Sequence, residues 1–318
     1  MTIRVGIIGT GFAAHRRAEA FAGDKRSQLV AVAGSSRERV EELCQPYSAE
    51  VLIDWEELVR RDDIDLVTIC TTNNLHGEIV RKALENCKHV VVEYPLSLDP
   101  TEAEELVAFA EMKGKLLHVE HIELLGGVHQ AFIQRLPIIS PAFYVHYVTI
   151  SPKHPAPRKW SYQSDAFGFP LVGALSRLHR LIDRFGEVAS VRGRAKFWDA
   201  PELGYYKACW CEAQLEFTSG VMGEVVYAKG EMFWQAENQL AIYGEKGTLI
   251  LGSDGGILID ADGEKAIEVG GRRGLFAKDT TMVLDRLSEG KPLYLANSDS
   301  VYTLKVADAI RKAVMGNG

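Results

Sequence analysis

The sequence predicts an α/β chain: first a doubly wound parallel sheet, then an α+β part built on a large, mainly antiparallel sheet. Three observations predict it. A glycine-rich turn at residues 9–14 follows an apolar run and opens a helical stretch. Apolar strand patterns then alternate with helical ones as far as residue 119. From about residue 140 onward, strand patterns instead succeed one another across short turns. At 318 residues the chain exceeds one average core, and a division into 1–124 and 125–318 is expected.

Residues 3–9, "IRVGIIG", are apolar without alternation, as suits a parallel strand buried on both faces. They lead into Gly9-Thr10-Gly11-Phe12-Ala13-Ala14 and a helical stretch to about Phe21. Gly9 permits the tight turn, Gly11 lets the backbone approach a pyrophosphate, and Ala14 keeps helix and strand close. A tight strand-to-helix turn without a ligand is the alternative; the strand before and the helix after favour a nucleotide. Gly9, Gly11, Phe12 and Ala13 are therefore candidate cofactor contacts in a dinucleotide-binding Rossmann domain. Further strands are expected at 28–33, 65–70, 88–92 and 115–119, with helices near 36–44, 75–86 and 101–113.

The second strand ends in Gly34-Ser35-Ser36-Arg37, with no acid before Glu38. An acid in this place binds a ribose 2′-hydroxyl, whereas a 2′-phosphate needs a cation. Ser35, Ser36 and Arg37 suit the phosphate, because Arg grips it through a planar fork, so NADPH is expected ahead of NADH. Ser35 or Ser36 also reads as the N-cap of the next helix, and the two roles are compatible.

In the second half, strands are expected at 142–150, 188–198, 207–217, 221–229, 238–243 and 247–251, and closing helices near 276–289 and 299–314. Consecutive strands across short turns imply antiparallel pairing. Apolar residues make up 47% and charged residues 25%, as in an ordinary globular protein. No apolar run reaches membrane-spanning length, and the N-terminus enters a strand without a signal-peptide pattern. Five cysteines without a C-x-x-C pair point to a reduced, cytoplasmic protein. The net charge of −7 argues against nucleic acid and makes any anionic ligand depend on a local group of cations.

The stretch "TTNNLHGEIVRKALENCKHVVVEYPLSL" (71–98) resembles the signature of the Gfo/Idh/MocA oxidoreductases, T-P-N-x-x-H followed by a strand ending in E-K-P. Thr72 replaces the proline and Tyr94 the lysine. A second pattern of that superfamily, D-x-x-x-H-x-x-D, falls on Ser176, Arg180 and Asp183, where only the last acid remains. The lysine and histidine used on sugar hydroxyls are thus both missing, and a tyrosine of ordinary pKa, about 10, is a poor base. By the same resemblance Thr71, Asn73, His76 and Glu93 belong to the cofactor loop and its E-x-P turn.

E-Y-P in this place is similar to the biliverdin reductase branch. Segments 113–131, 155–162, 167–177 and 272–276 also resemble the cyanobacterial members, and the likeness runs from about residue 4 to 308. The resemblance implies NADPH-dependent reduction of biliverdin to bilirubin: hydride to the central methine carbon, a proton to a pyrrole nitrogen. Such a site needs cations for two propionates and for charge developing on the pigment. It also implies a monomer in preference to a dimer. A superfamily dehydrogenase acting on a sugar or polyol, or a nucleotide-binding regulator without turnover, stays open.

A helix is expected near 170–185, with Leu171, Leu175, Leu178, Ile182 and Phe185 as its buried stripe. Arg177, Arg180 and Arg184 then lie on roughly the opposite face, which by itself reads as a solvated basic surface. The resemblance instead implies Arg177 as the cation nearest the pyrrole nitrogens and Arg180 as second, with Tyr94 a flat wall and hydrogen-bond donor beside the nicotinamide. In "HVEHIE" (118–123) the spacing fits no zinc signature, so no metal is expected. The stretch follows a strand's carboxyl end, where Glu120 or His121 can line the substrate site or serve the structure. Arg272 and Arg273 precede a helix start, the unfavourable end for cations, and read as an exposed turn or an anion contact.

Overall fold

The computed structural model describes residues 2–316, and these form two compact units. One comprises the chain up to Ile122 together with Gly274–Val301; the other runs from Glu123 to Arg273 and resumes at Tyr302. In chain order, β1 (Ile3–Ile8), α1 (Phe12–Ala22), β2 (Ser27–Ala33), α2 (Arg37–Cys44), β3 (Glu50–Leu52) and α3 (Trp55–Arg60) come first. Then follow β4 (Leu66–Ile69), α4 (His76–Glu85), β5 (His89–Glu93), α5 (Pro100–Met112) and β6 (Leu117–Glu120). The second unit begins with α6 (Gly127–Ile139), β7 (Ala142–Pro152), α7 (Ser164–Phe167), α8 (Pro170–Gly173) and α9 (Ser176–Phe185). Its remaining strands are β8 (Val188–Asp199), β9 (Tyr206–Phe217), β10 (Met222–Gly230), β11 (Glu237–Gly244), β12 (Gly247–Gly252), β13 (Gly255–Asp260) and β14 (Gly263–Ile267). The last helices are α10 (Leu275–Glu289) and α11 (Asn297–Gly316).

The first unit is a six-stranded parallel sheet in the order β3-β2-β1-β4-β5-β6. Strand order reverses between β1 and β4, the place where open α/β sheets bind ligands beyond their carboxyl ends. All four residues of β4 and the last four of β1 are buried, which explains their unbroken apolar runs. The second unit is an eight-stranded sheet, β14-β13-β12-β11-β7-β10-β9-β8. It is antiparallel except where β10 pairs with β7 in parallel. α9 packs on it through Phe185, 5.4 Å from Phe217, and α11 through Ile310, which leaves no room for a side chain at Gly193.

The expected fold class is therefore the one found, with differences in detail. The first compact unit ends at Ile122, not at 124, and it takes back the segment 274–301, which a single cut assigns to the second. The reason is α10, which packs along α1 and buries Asp279 against Arg17. β3, α3, α6, α7, β13 and β14 were not expected. The first two are only three and six residues long, and α6 opens at Gly127 and contains Pro137. β14 is largely exposed and β13 mostly half-buried, and both have glycine-rich flanks, so their sequence reads as turns. The helix expected over 170–185 is two helices, α8 and α9, because the chain leaves helical geometry at Ala174. Gly173, the residue before, is pressed against the Phe167 ring.

Candidate functional site

In the first unit, Gly9 has φ of +118°, and a Cβ there would lie 2.3 Å from the Cys70 carbonyl oxygen. No L side chain fits both conditions, so the tight turn requires glycine. Gly11 is the N-cap of α1, and no described atom comes within 4 Å of where its Cβ would stand. The first turn of α1 carries no acid, so its amides and positive dipole face an open backbone. Phe12 is 71% exposed, Ala13 half-buried and Ala14 fully buried against the sheet. Ser36 is the N-cap of α2 by position, yet its hydroxyl accepts no capping bond among the described residues. Ser35 and Arg37 are exposed, and the Arg37 guanidinium lies 3.7 Å from Glu41. An open helix start for a pyrophosphate, with two hydroxyls and a guanidinium at the end of β2, fits a phosphorylated dinucleotide.

The loop after β4 is tied to the turn after β5. His76 is buried and its Nδ1 lies 2.7 Å from the Pro95 carbonyl, with Nε2 3.4 Å from that of Thr71. Burial lowers its pKa, so the ring is neutral and donates through Nδ1 to Pro95. His76 therefore braces the loop from inside instead of presenting itself to a ligand. Asn73 is also buried, while Thr71 is half-buried. The Tyr94–Pro95 bond of the E-Y-P turn is cis.

β5 and β6 run in register so that Glu93 stands beside Glu120, and one residue further on Tyr94 stacks on His121, centroids 5.0 Å apart. Glu120 is buried; desolvation, then the neighbouring Glu93, push its pKa well above the carboxylate range, so it keeps a proton. Its Oε1 accepts from the Ile122 amide at 2.6 Å. Arg17 of α1 reaches Glu93 at 3.3 Å and forms a close ion pair with Asp279. Burial opposes its charge, but Asp279 and then Glu93 outweigh it and raise the Arg17 pKa. Asp279 also takes His118 Nε2 at 2.8 Å and the Tyr294 hydroxyl at 2.9 Å. That hydroxyl accepts from the His121 amide, and His121 Nε2 sits 2.9 Å from Ser300 Oγ. Glu120 and His121, expected as possible substrate contacts, are thus buried in a network that supports Glu93 and Tyr94.

In the second unit, the stripe of α8 and α9 is buried as expected, but Arg180 is not on a solvated face: only 4% of it is exposed. It donates to the Tyr147 hydroxyl at 2.7 Å and to the Glu123 carbonyl at 3.3 Å, and its Nη2 lies 3.6 Å from the Glu123 carboxylate. The sheet residue Tyr147 and the segment before α6 cover the side of α9 that periodicity alone leaves to water. Arg177 is half-buried, donates to Ser176 Oγ at 2.9 Å and lies over the Tyr227 ring at 5.6 Å. Arg184 pairs with Asp183, whose pKa is held down at about 2; burial opposes this, and His129 and Arg184 prevail. Arg177, Arg180 and Arg272 line one cavity of about 80 Å³ together with Glu123 and the start of α6. Arg272 is exposed, as expected of its turn, and also forms a close ion pair with Glu123.

Several residues of interest escaped the sequence. Arg17, Asp279, His118 and Tyr294 are brought together from distant segments, and nothing local announces them. Lys229 is 5% exposed, with Nζ 3.7 Å from the Phe167 centroid and 4.9 Å from that of Tyr162. Burial lowers its pKa to about 8. Among the described residues no group of three potential metal ligands assembles, and no helix is long and apolar enough to cross a membrane.

Two family profiles match the chain, "Oxidoreductase family, NAD-binding Rossmann fold" over residues 3–121 and "Oxidoreductase family, C-terminal alpha/beta domain" over 141–317. The chain belongs to the Gfo/Idh/MocA oxidoreductase family. Among solved Gfo/Idh/MocA-like structures, biliverdin reductase from Synechocystis sp. PCC 6803, in complex with biliverdin and NADP+, is 48% identical with a TM-score of 0.96. That match covers 98% of this chain and 99% of the other. KijD10, a 3-ketoreductase from Actinomadura kijaniata, superimposes at a TM-score of 0.85 over 99% and 98% of the two chains, but at 22% identity this shows a shared fold only. Biliverdin reductase A from Mus musculus is 34% identical over 143 residues and that from Homo sapiens 32% over 160. These matches cover 44% and 50% of the chain, and the same shares of those relatives, so the chain spans half or less of the length of either.

Proposed function

We propose that this protein is an NADPH-dependent biliverdin reductase. The observation that supports it best is an arginine, Arg180, where the superfamily has its histidine, with two further arginines lining the same cavity. Arg180 occupies the histidine position, and Arg177 lies beside it in a cavity lined by three arginines. Arginine does not give up its proton near neutral pH, so this group cannot serve as the base that sugar oxidation needs. It is suited to holding carboxylates and to stabilising negative charge. The 48% identity over nearly the whole of both chains to a reductase solved with biliverdin and NADP+ supports the same reading.

The cofactor, when bound, supplies the hydride. Gly9, Gly11 and the first turn of α1 hold its phosphates through backbone amides, with Phe12 and Ala13 completing the turn. Ser35, Ser36 and Arg37 take the 2′-phosphate, which selects NADPH over NADH. Glu93 and Tyr94 stand at the strand ends, fixed by Arg17 and His121, and Tyr94 offers an aromatic face to a flat ligand. Arg177 offsets charge on the pigment as reduction proceeds and lies nearest the pyrrole nitrogen that takes up a proton. Arg180, rigidly held by Tyr147, backs it.

The test is to mix protein, NADPH and biliverdin and follow the visible spectrum. Replacement of the biliverdin band by that of bilirubin, with matching loss of NADPH, is the expected result. Sugar-dependent reduction of NADP+ without pigment turnover, or nucleotide binding without turnover of any substrate, contradicts the proposal.

A further inference from the structure

Lys229 is a buried cation that no step of the proposed reaction uses. It projects from the end of β10 into a cage of four rings. Its Nζ lies 3.7 Å from the Phe167 centroid, 4.9 Å from that of Tyr162, 5.4 Å from that of Tyr206 and 5.6 Å from that of Tyr227. The rings come from the turn Trp160–Tyr162, from α7, from β9 and from β10 itself. The ammonium donates to the Ser161 carbonyl, which also accepts from the Tyr206 hydroxyl at 2.9 Å. Among the described residues no carboxylate pairs with it, so the ring faces take the place of a counter-ion.

The groups facing Lys229 leave its charge uncompensated. Across the β9–β10 pair stands Cys209, a thiol that burial keeps protonated, and burial also raises the pKa of Tyr162 and Tyr206. Glu231, just beyond β10, is taken by the Ala156 amide at 2.8 Å. From α9 comes a second cation, Arg177, which lies 5.6 Å from the Tyr227 centroid, as far as Lys229 does. Two like charges thus share one ring. Burial lowers the Lys229 pKa to about 8; Cys209 opposes this and Arg177 adds to it. The repulsion is mutual: Lys229, while charged, keeps the guanidinium from settling among the rings. The cage is also built against the chain entering α9, because Gly173 presses on the Phe167 ring.

We infer that Lys229 is a positioning residue: it occupies the aromatic cage and, across Tyr227, holds the Arg177 guanidinium out on the cavity wall. Once Lys229 is neutral, the rings become the better place for a guanidinium, and Arg177 leaves the wall. The inference rests on the role proposed above for Arg177 and adds the residue that sets its place. A lysine that merely filled the cage could be exchanged for methionine without effect on rate.

The experiment measures kcat for biliverdin with NADPH over about pH 6–9.5, and pigment affinity from absorbance, in wild type, Lys229→Met and Lys229→Arg. Lys229 is charged below about 8 and neutral above it, so wild-type kcat should fall as pH rises through that value. Lys229→Met exchanges a buried charge for an apolar chain, which a fold tolerates well. It should lower kcat roughly tenfold at neutral pH, as a misplaced group does, and abolish the fall. Lys229→Arg, charged throughout, should recover most of the rate and show no fall near pH 8. A flat wild-type profile, a Met variant as fast as wild type, or an Arg variant no better than Met overturns the inference. If neither variant folds, Arg177→Ala decides: its residual rate should lack the fall, and a fall retained there overturns the inference. Wild type that binds biliverdin without reducing it refutes the proposed reaction. Pigment affinity then decides: it should drop in Lys229→Met and persist in Lys229→Arg, and equal affinities overturn the inference. Wild type that binds no pigment refutes both.

Discussion

Two regions of this protein gather charge around an arginine, and they resolve the imbalance in opposite ways. In the first unit three carboxyls, those of Asp279, Glu93 and Glu120, surround Arg17. The excess is absorbed internally, because a carboxylate can take a proton and Glu120 does so. In the second unit Arg180 and Arg272 share Glu123, and a guanidinium has no neutral form to fall back on. The first group balances its charge within the fold; the second keeps an excess of positive charge.

The sharpest way to break this comparison is to remove Asp279. Asp279→Ala leaves Arg17 buried and stripped of its main partner, and should destabilise the protein by about 3–5 kcal/mol in denaturant unfolding. The double change Arg17→Met with Asp279→Leu should restore most of that loss. A single change that unfolds like wild type means the network carries no structural weight. In the second unit the corresponding removal should act on rate. Arg177→Ala should lower turnover by a factor on the order of 10² with little change in melting temperature. Near-normal turnover takes Arg177 out of the mechanism.

How much of this was legible in the sequence follows the range of the forces involved. The glycine turn and the alternating strands and helices depend on neighbours a few residues away, and local pattern finds them; Arg177 and Arg180 were singled out through resemblance. The pairing of Arg17 with Asp279 spans 262 residues, and that of Glu123 with Arg272 spans 149. No periodicity reports such contacts. Helical spacing also misplaced Arg180 on a solvated face, because periodicity gives a face its direction but not what covers it; Tyr147 does. His76 was legible only through resemblance and His121 only from its place beyond a strand's carboxyl end; both prove to be buried inside the fold.

Two smaller effects sharpen the contrast. The Glu120 pKa is raised on folding, so its contribution to stability is intact in acid, below the ordinary carboxylate pKa. That contribution is lost as pH rises through the elevated value. Glu120→Gln, which keeps an acceptor for the Ile122 amide, should flatten that decline; an identical pH dependence in the variant means that Glu120 holds no proton. Least affected should be Tyr94→Phe, which preserves the stacking on His121 and should retain much of the turnover, whereas Tyr94→Ala should lose pigment binding. An inactive, folded Phe variant would make the hydroxyl essential.

The most direct measurement of the central claim uses NADPH carrying deuterium at both C4 positions of the nicotinamide, with biliverdin, in ordinary water. The account predicts bilirubin one mass unit heavier than that made with unlabelled cofactor, with the label on the central methine carbon. Pigment reduced without label, or labelled at another carbon, contradicts it.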